Sequence, residues 1–327
     1  MAFEWVETIR AQKWMKKNIP FLYSWHAYVG HELNLFHEFK QSKSIDEVAE
    51  STSVSKELLK SWVEVGVSIR HLKKKSNETY QTRKLKILPK SGSLSGALLK
   101  EMMELHIPSL LAYPELMKSQ SKLDFNAEKH GDTVAKTSRL IESIAYPKFK
   151  KMIKEDKVSS IIDVGCGYAG YLQNIAKDHR KIQMVGIDNH PVVAEKAKEN
   201  CEAFSNIDIV HADVNEWAPA NKENDMVMIN NVMHYIEPSI RVDFLSKISQ
   251  WIHKKGKLII ITPVKNTPYG KEFSAVFNSF FSAHSNLYTL PEQEEFERIA
   301  EKLSMKISRF EPIIKEGSWY IAVLEHK

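Results

Sequence analysis

Two periodicities divide the 327-residue chain. Up to about residue 155, apolar residues recur three and four positions apart, the spacing of amphipathic helices. From Val158 onward, short continuous apolar runs alternate with stretches of helical period. In the first part, FLYSWHAYVGHELNLFHEF (21–39) sets Ala27, Leu33, Leu35, Phe36 and Phe39 on one helical stripe. Ser44 and Glu47 form a capping-box pattern ahead of Val48, in which each side chain satisfies the other's backbone N–H. SKELLKSWVEVGV predicts another helix, with Leu58, Leu59, Trp62 and Val65 on its apolar side. SIRHLKKKSNETYQTRKLKIL then reads as a short hairpin turning at Ser76–Asn77. Helices followed by a two-stranded wing make a winged-helix arrangement. Residues 93–123 return to helix, and 132–155 read as a long helical connection.

The second part predicts an α/β fold. VSSIIDVG, KIQMVGID, IDIVHAD, DMVMINNV and GKLIIITPV are expected strands. Helices YLQNIAKD, PVVAEKAKENCEAF, IRVDFLSKISQWI and PEQEEFERIAEKL lie between or after them, the second opened by Pro191. Runs such as Leu258–Ile261 indicate strands buried on both faces, as in a parallel sheet covered by helices. MKISRFEPI and GSWYIAVLEH follow one another without a crossover helix, so they are expected to pair antiparallel. Three segments result: a mostly helical, winged-helix-like domain (1–125), a helical connection (126–157) and a Rossmann-like domain (158–327).

Composition narrows the class. With 43% hydrophobic and 27% charged residues, the chain reads as an ordinary soluble globular protein. No apolar stretch is long enough to span a bilayer, and the first twenty residues lack a signal-peptide core. Two cysteines, Cys166 and Cys201, give no disulfide framework, so a reducing cytoplasm is the expected compartment. No cluster suggests a metal site. Residues 1–120 hold 18 Lys/Arg against 13 Asp/Glu, whereas 121–327 hold 28 of each, so the net charge of +5 sits in the N-terminal part. That keeps nucleic acid open as a partner. The aromatics there fall at helix-core positions rather than between the basic residues, which argues against it.

The candidate chemistry starts at IIDVGCGYAG (161–170), where Gly165, Gly167 and Gly170 have the spacing G-x-G-x-x-G between a strand and a helix. Asp188, about twenty residues on at the end of the second strand, can accept from both ribose hydroxyls, a feature shared with NAD enzymes. Three features point away from NAD. Asp163 is a carboxylate inside the strand, suited to a cofactor with an ammonium and a sulfonium rather than to a pyrophosphate. Asp213 ends the third strand, where it can meet an adenine amine. Nothing after the glycine turn reads as a second domain for a hydride acceptor.

These ordered blocks resemble the class I S-adenosylmethionine-dependent methyltransferases, and the resemblance spans 158–327. It implies a seven-stranded sheet with the last strand inserted antiparallel, and S-adenosyl-L-methionine as cofactor. Gly165 and Gly167 would line its methionyl part, Asp163 its ammonium, Asp188 its ribose, and Asn189, Asp213 and Val214 its adenine. Asn230 and Asn231 would contact its amino-acid part, and Tyr146 would close over it. Cys166 reads as a small filler. The N-terminal part is similar to the dimerisation domain of small-molecule O-methyltransferases, which implies a homodimer.

His234, in NNVMHYIEP, matches the place where plant O-methyltransferases carry a general base, a role for which imidazole is suited. The carboxylates that orient that base in those enzymes have no counterpart in TPVKN or SNLYT, and Tyr235 follows the histidine. Methylation at oxygen, nitrogen or carbon all remain open. Phe273, Val276, Phe277, Phe280 and Phe281 fall on one stripe of a helix that would cover an apolar or aromatic acceptor, with His284 and Tyr288 following. The expected function is methyl transfer to a small molecule of specialised metabolism. The alternatives are a nucleic-acid methyltransferase using the basic N-terminal part and a cofactor-binding regulator without catalysis.

Overall fold

The computed structural model describes residues 2–90 and 92–327; Met1 and Ser91, inside the expected 1–125 segment, lie outside the described residues. The chain forms two compact units that meet at Ile107 and Pro108.

The first unit holds α1 (Ala2–Glu32), α2 (Leu35–Glu38), β1 (Lys43–Ser44), α3 (Ile45–Thr52), α4 (Lys56–Ser68), β2 (Leu72–Lys74), β3 (Thr79–Thr82) and α5 (Leu94–Glu101). The helix expected over 21–39 begins far earlier, runs through Pro20 and stops at Glu32, because Asn34 takes a left-handed φ of 54°. Leu33 is therefore exposed, while Leu35 and Phe39 enter the core from a separate turn. The capping box starts α3: Ser44 Oγ accepts from the Glu47 N–H at 3.2 Å, and Glu47 Oε2 accepts from the Ser44 N–H at 2.6 Å. In α4, Leu59 and Trp62 are buried, but Leu58 is 71% exposed and does not belong to the apolar side. The hairpin is shorter than expected, with Leu72–Lys74 paired to Tyr80–Thr82 and β1 on the other edge of β3. Residues 93–123 are not one helix. After α5 comes a π-helical turn, Met102–His106, then α6 (Ile107–Leu111) and α7 (Tyr113–Ser119). π-Turns widen the helix by one residue and are locally less favourable.

The core of this unit centres on His26, which stacks on Trp62 with ring centroids 4.2 Å apart and planes 7° apart. The indole Nε1–H of Trp62 donates to the His26 carbonyl at 3.1 Å, and His26 Nε2 lies 3.1 Å from the Trp62 carbonyl. His26 Nδ1 meets His71 Nδ1 at 3.0 Å. Two buried imidazoles in contact cannot both be charged.

The second unit adds α8 (Ala127–Asp156), β4 (Ser160–Val164), α9 (Gly170–Asp178), β5 (Gln183–Asp188), α10 (Pro191–Cys201), β6 (Ile207–His211), β7 (Asn224–Asn230), α11 (Arg241–Ser249), β8 (Ile252–Pro263), α12 (Lys271–Ser282), α13 (Gln293–Lys302), β9 (Met305–Ile314) and β10 (Trp319–His326). Its sheet has seven strands in the order β6-β5-β4-β7-β8-β10-β9. The first five are parallel, and β10 runs antiparallel between β8 and β9, as the resemblance implied. Period-2 alternation sorts the side chains onto two faces. Ile161, Met226, Met228, Ile259 and Ile261 pack with α8, α9 and α10, and Ile162, Val227, Ile229, Leu258 and Ile260 pack with α11 and α13. α8 is thus part of this unit's core rather than a connection: its stripe Ile141, Ala145, Phe149 and Met152 is buried on the sheet. Residues 108–125 also belong to this unit, so the boundary falls earlier than the expected 125. The helix expected to end at Ile252 ends at Ser249, because Ile252 already pairs with Asn224 as a strand. Among the described residues, no helix is long and apolar enough to cross a membrane, and no cluster could hold a metal ion.

Burial, with His71 beside it, pushes the His26 pKa down to about 3. A histidine depressed below its unfolded value near 6.5 contributes stability above that pH, and the contribution is lost as the pH falls toward 3. NMR of the His26 imidazole is therefore expected to show a neutral ring down to pH 5, with the melting temperature falling as pH drops from 6.5. A His26 resonance titrating near pH 6.5 would contradict this packing.

Candidate active site

Parallel sheets of this kind bind ligands at the carboxyl ends of the strands where the order reverses. Here the reversal lies between β4 and β7, and Asp163, Asn230 and the glycine turn all sit there. The turn after β4 folds back over β5: the Gly165 and Cys166 N–H groups both donate to the Ile187 carbonyl, at 2.8 and 2.9 Å. Gly165 has a φ of +68°, and a Cβ there would lie 2.5 Å from Val232, so only glycine fits. Gly167 also has a left-handed φ of +54°, with open space where a Cβ would stand. Cys166 is a buried thiol packed in the core, in keeping with a filler.

Asp188 ties the turn to the next strand. Its Oδ2 accepts from the Gly167 N–H and its Oδ1 from the His190 N–H, both at 3.0 Å. Burial raises its pKa while these two bonds oppose the rise. His190 is the N-cap of α10, without a side-chain cap bond, so Asn189 does not cap that helix. Asn189 is exposed, with its carbonyl 3.2 Å from His211 Nε2. β6 ends at His211, short of Asp213. The Asp213 side chain is exposed and accepts from the Asn215 N–H at 2.7 Å, while Val214 beside it is buried in the core.

Asp163 occupies the helix-covered face at a position where its neighbours are apolar, and it is only 1% exposed. Asn230 Nδ2 donates to its Oδ1 at 3.1 Å, but Asp163 Oδ2 and Asn230 Oδ1 are buried with no partner. Burial, with Glu142 and Asp188 nearby, pushes Asp163 up to about 8. Glu142, on α8, reaches the same place: a Cβ on Gly170 would lie 2.0 Å from its carboxylate. Sequence reasoning missed Glu142 because it belongs to no strand-end block. The available signal was an acid bordering the Ile141–Ala145–Phe149 stripe.

Tyr146 does not join this group. Its hydroxyl donates to Asp178 Oδ2 at 2.6 Å. Asp178 is the last residue of α9, roughly 12 Å along the helix from its glycine-turn end at 1.5 Å per residue. The expectation that Tyr146 closes over the turn is therefore corrected: it stands on the same helix as Glu142 but one turn too far along.

Beyond β7, Asn231 adopts a left-handed φ of 57° and His234 lies in a 3-10 turn, Met233–Tyr235. The His234 ring stacks on Phe281 with centroids 4.4 Å apart, and its buried Nδ1 has no hydrogen-bond partner. The His234 carbonyl accepts from the Tyr288 N–H at 2.8 Å. Burial, and then the Arg241 charge, pushes the His234 pKa down to about 3. Arg241 is itself fully enclosed: Nε donates to the Ile236 carbonyl at 3.1 Å, Nη1 to Glu295 Oε1 at 2.9 Å, and Nη2 to the Thr289 carbonyl. In α12, Phe273, Phe277, Phe280 and Phe281 face inward, but Val276 is 54% exposed and leaves the expected stripe. Trp319 packs on Phe277 at 5.4 Å between centroids, and its Nε1–H donates to Asn231 Oδ1 at 2.8 Å. His284 is buried against Phe280, with Nδ1 2.8 Å from that residue's carbonyl.

Residues 161–256 match the family described as "Methyltransferase domain". Two curated relatives are carboxy-S-adenosyl-L-methionine synthases. The one from Sulfurimonas denitrificans is 30% identical over 99 residues, covering 30% of this chain and 41% of that protein. The one from Escherichia coli is 24% identical over 152 residues, covering 45% of this chain and 58% of that protein. The chain thus spans about half the length of the curated relatives it matches. Solved structures match along the whole chain. Mitomycin 7-O-methyltransferase MmcR superposes with a TM-score of 0.78 at 14% identity, covering 98% of this chain and 100% of that one. Human N-acetylserotonin methyltransferase in complex with SAM gives 0.74 at 13%, covering 97% of each. PigF with SAH gives 0.75 at 15%, covering 96% of this chain and 98% of that one. Residues 161–256 thus match a methyltransferase domain, and the chain shares the fold of these solved methyltransferases.

Proposed function

We propose that the protein transfers a methyl group from S-adenosyl-L-methionine to a small apolar or aromatic acceptor. The observation that carries this reading is the pair of buried, unpartnered oxygens, Asp163 Oδ2 and Asn230 Oδ1, beside a glycine turn at the switch point. Buried polar atoms without partners are costly, and a cationic amino-acid group supplies what they lack. The residues fit the cofactor. Gly165 and Gly167 would line its methionyl part, with open space at Gly167, and Asp188 stands at the strand end where a ribose would be held. Asn189, Asp213 and Val214 border the adenine side, and Asn231 the amino-acid side. Bound there, the cofactor supplies an electrophilic methyl on a positively charged sulfur. The protein's part is to bind, orient and exclude water.

The structural neighbours that bear O-methyltransferase and N-acetylserotonin methyltransferase names support the small-molecule class. The aromatic layer of Phe273, Phe277, Phe281 and Trp319 supports a flat acceptor. His234 lies against that layer as a neutral imidazole. A ring nitrogen of His234 would accept the hydrogen bond of the acceptor hydroxyl and take its proton on methyl transfer. Burial and the Arg241 charge disfavour the imidazolium, so that proton would pass on to solvent. The protein acts as a homodimer joined through its N-terminal unit: α1 leaves Trp5, Trp14, Met15 and Phe21 exposed, more apolar surface than a solvated helix normally shows.

S-adenosylhomocysteine is expected to bind at micromolar levels in calorimetry, with no competition from NAD. Asp188→Ala is expected to weaken binding by about 1–3 kcal/mol, the cost of stranding hydrogen-bonded groups. Preferential NAD binding would refute the cofactor assignment.

His234→Ala is expected to lower kcat by about 10²–10⁴-fold, the span of a general base, with cofactor affinity little changed. Because the histidine is already neutral above about pH 3, the wild-type rate should be flat in its contribution from pH 5 upward. A variant keeping more than about a third of wild-type activity removes His234 from that role.

Light scattering is expected to give twice the 37.7 kDa chain mass, with an interface above about 2,000 Å² as in obligate pairs. A monomer at micromolar concentration would count against the pairing.

A further inference from the structure

Three carboxyl groups gather where the glycine turn meets α8, and only two belong to strand ends. The third is Glu142. It lies against Gly170, the first residue of α9, so closely that a Cβ there would stand 2.0 Å from Glu142 Oε2 and 2.6 Å from Oε1. The third glycine of the turn is therefore required by a carboxyl group of this chain, reaching in from a helix 28 positions upstream.

What surrounds Glu142 is short of positive charge. Arg139, one turn earlier on α8, opposes the effect of burial on it. From β4 it faces Asp163, whose Oδ2 has no partner, and from α9 it faces Tyr171. The Tyr171 hydroxyl is buried, 4% exposed by residue, and also has no partner. From β5 Asp188 acts on Asp163, and from β7 the neutral Asn230 donates to it. Asp163 Oδ2 and Asn230 Oδ1 are thus buried acceptors without a partner, with the neutral Tyr171 hydroxyl and a second carboxyl group, Glu142, nearby.

We propose that Glu142 is a proton-holding member of the cofactor site, and that a primary ammonium arriving beside Asp163 displaces its proton to solvent. This rests on the cofactor reading above and names a residue that reading does not include. The exchange balances: one carboxylic O–H becomes a carboxylate and a solvent proton, and the ammonium keeps its three N–H bonds. Burial holds Glu142 up at about 7 and Asp163 up at about 8. The pair is thus partly protonated at neutral pH, and a cation selects its ionised form.

The test is calorimetric titration of S-adenosylhomocysteine into the full-length protein at pH 7, in buffers of different ionisation enthalpy. The dependence of the observed heat on buffer reads the protons released. Wild type is expected to release on the order of one proton per cofactor, the linkage of a raised carboxyl pKa to cation binding. Glu142→Gln is expected to bind still, with a measurably smaller release, since amide and acid match in shape but the amide has no proton to lose and only Asp163 is left to supply one. Gly170→Ala, which drives a methyl into the space of the Glu142 carboxyl group, is expected to show the same loss and serves if the first variant is unstable. Release by both variants equal to wild type overturns the role of Glu142, as does a wild type that binds without releasing a proton. A wild type that does not bind S-adenosylhomocysteine overturns the cofactor reading itself.

Discussion

An ionisable carboxyl group buried near the carboxyl end of an apolar strand, at the sheet's switch point, is the constraint around which the second unit is built. Asp163 alternates with Ile162 and Val164, and its side chain falls on the face covered by α8 and α9. An isolated carboxylate at such depth is strongly disfavoured, so the group stays protonated or finds a cation. One hydrogen bond, donated by the Asn230 side-chain amide to Oδ1, satisfies half of it. The surrounding elements supply more acceptors instead of a basic residue: Glu142 from α8, Asp188 from β5, Tyr171 from α9. A core that gathers acids without a counter-charge is shaped for a positive ligand. The glycine turn is open at Gly167, while at Gly165 and Gly170 the absent Cβ makes room for Val232 and Glu142.

The second strand end shows the same economy. Asp188 holds both the turn after β4, through the Gly167 N–H, and the start of α10, through the His190 N–H. Its carboxylate is thereby fixed at the edge of the site before any ribose arrives. Pre-set geometry of this kind lowers the ordering cost of binding.

Much of this was legible in the chain, for identifiable reasons. Continuous apolar runs such as Leu258–Ile261, short and flanked by Gly256 and Pro263, read as strands buried on both faces, and the sheet followed from them. The capping box at Ser44 and Glu47 and the antiparallel final pair are local signals that tertiary packing had no reason to override. Errors arose where a single residue decides. Asn34 tolerates a left-handed conformation and broke a helix whose apolar spacing ran on unbroken. Leu58 and Val276 have the right period but sit one position outside the covered arc. In the candidate site, the places of Asp163, Asp188 and Asn230 at or near strand ends follow from the strand pattern. Glu142 and Tyr146 are one helical turn apart on α8, and sequence cannot say which of two neighbouring turns lies over the glycines. The Arg241 clamp escaped notice because its partners, Thr289 and Glu295, are about fifty residues away and carry no motif.

That clamp bears on where the domain can be cut. The segment that matches the methyltransferase family, 161–256, contains Arg241 but neither of the partners in 289–295 that share its guanidinium. It also stops inside β8, before the residues that pair with β10. Excised at those limits, the segment would hold an enclosed cation with two of its three partner residues gone and a bare hydrophobic edge on its central sheet. A buried charge stripped of its partner costs about 3–5 kcal/mol, a large share of the stability of any domain this size. The recognisable sequence core and the smallest piece that can fold are therefore different objects, and the difference is set by a strand and a helix that carry none of the cofactor motifs.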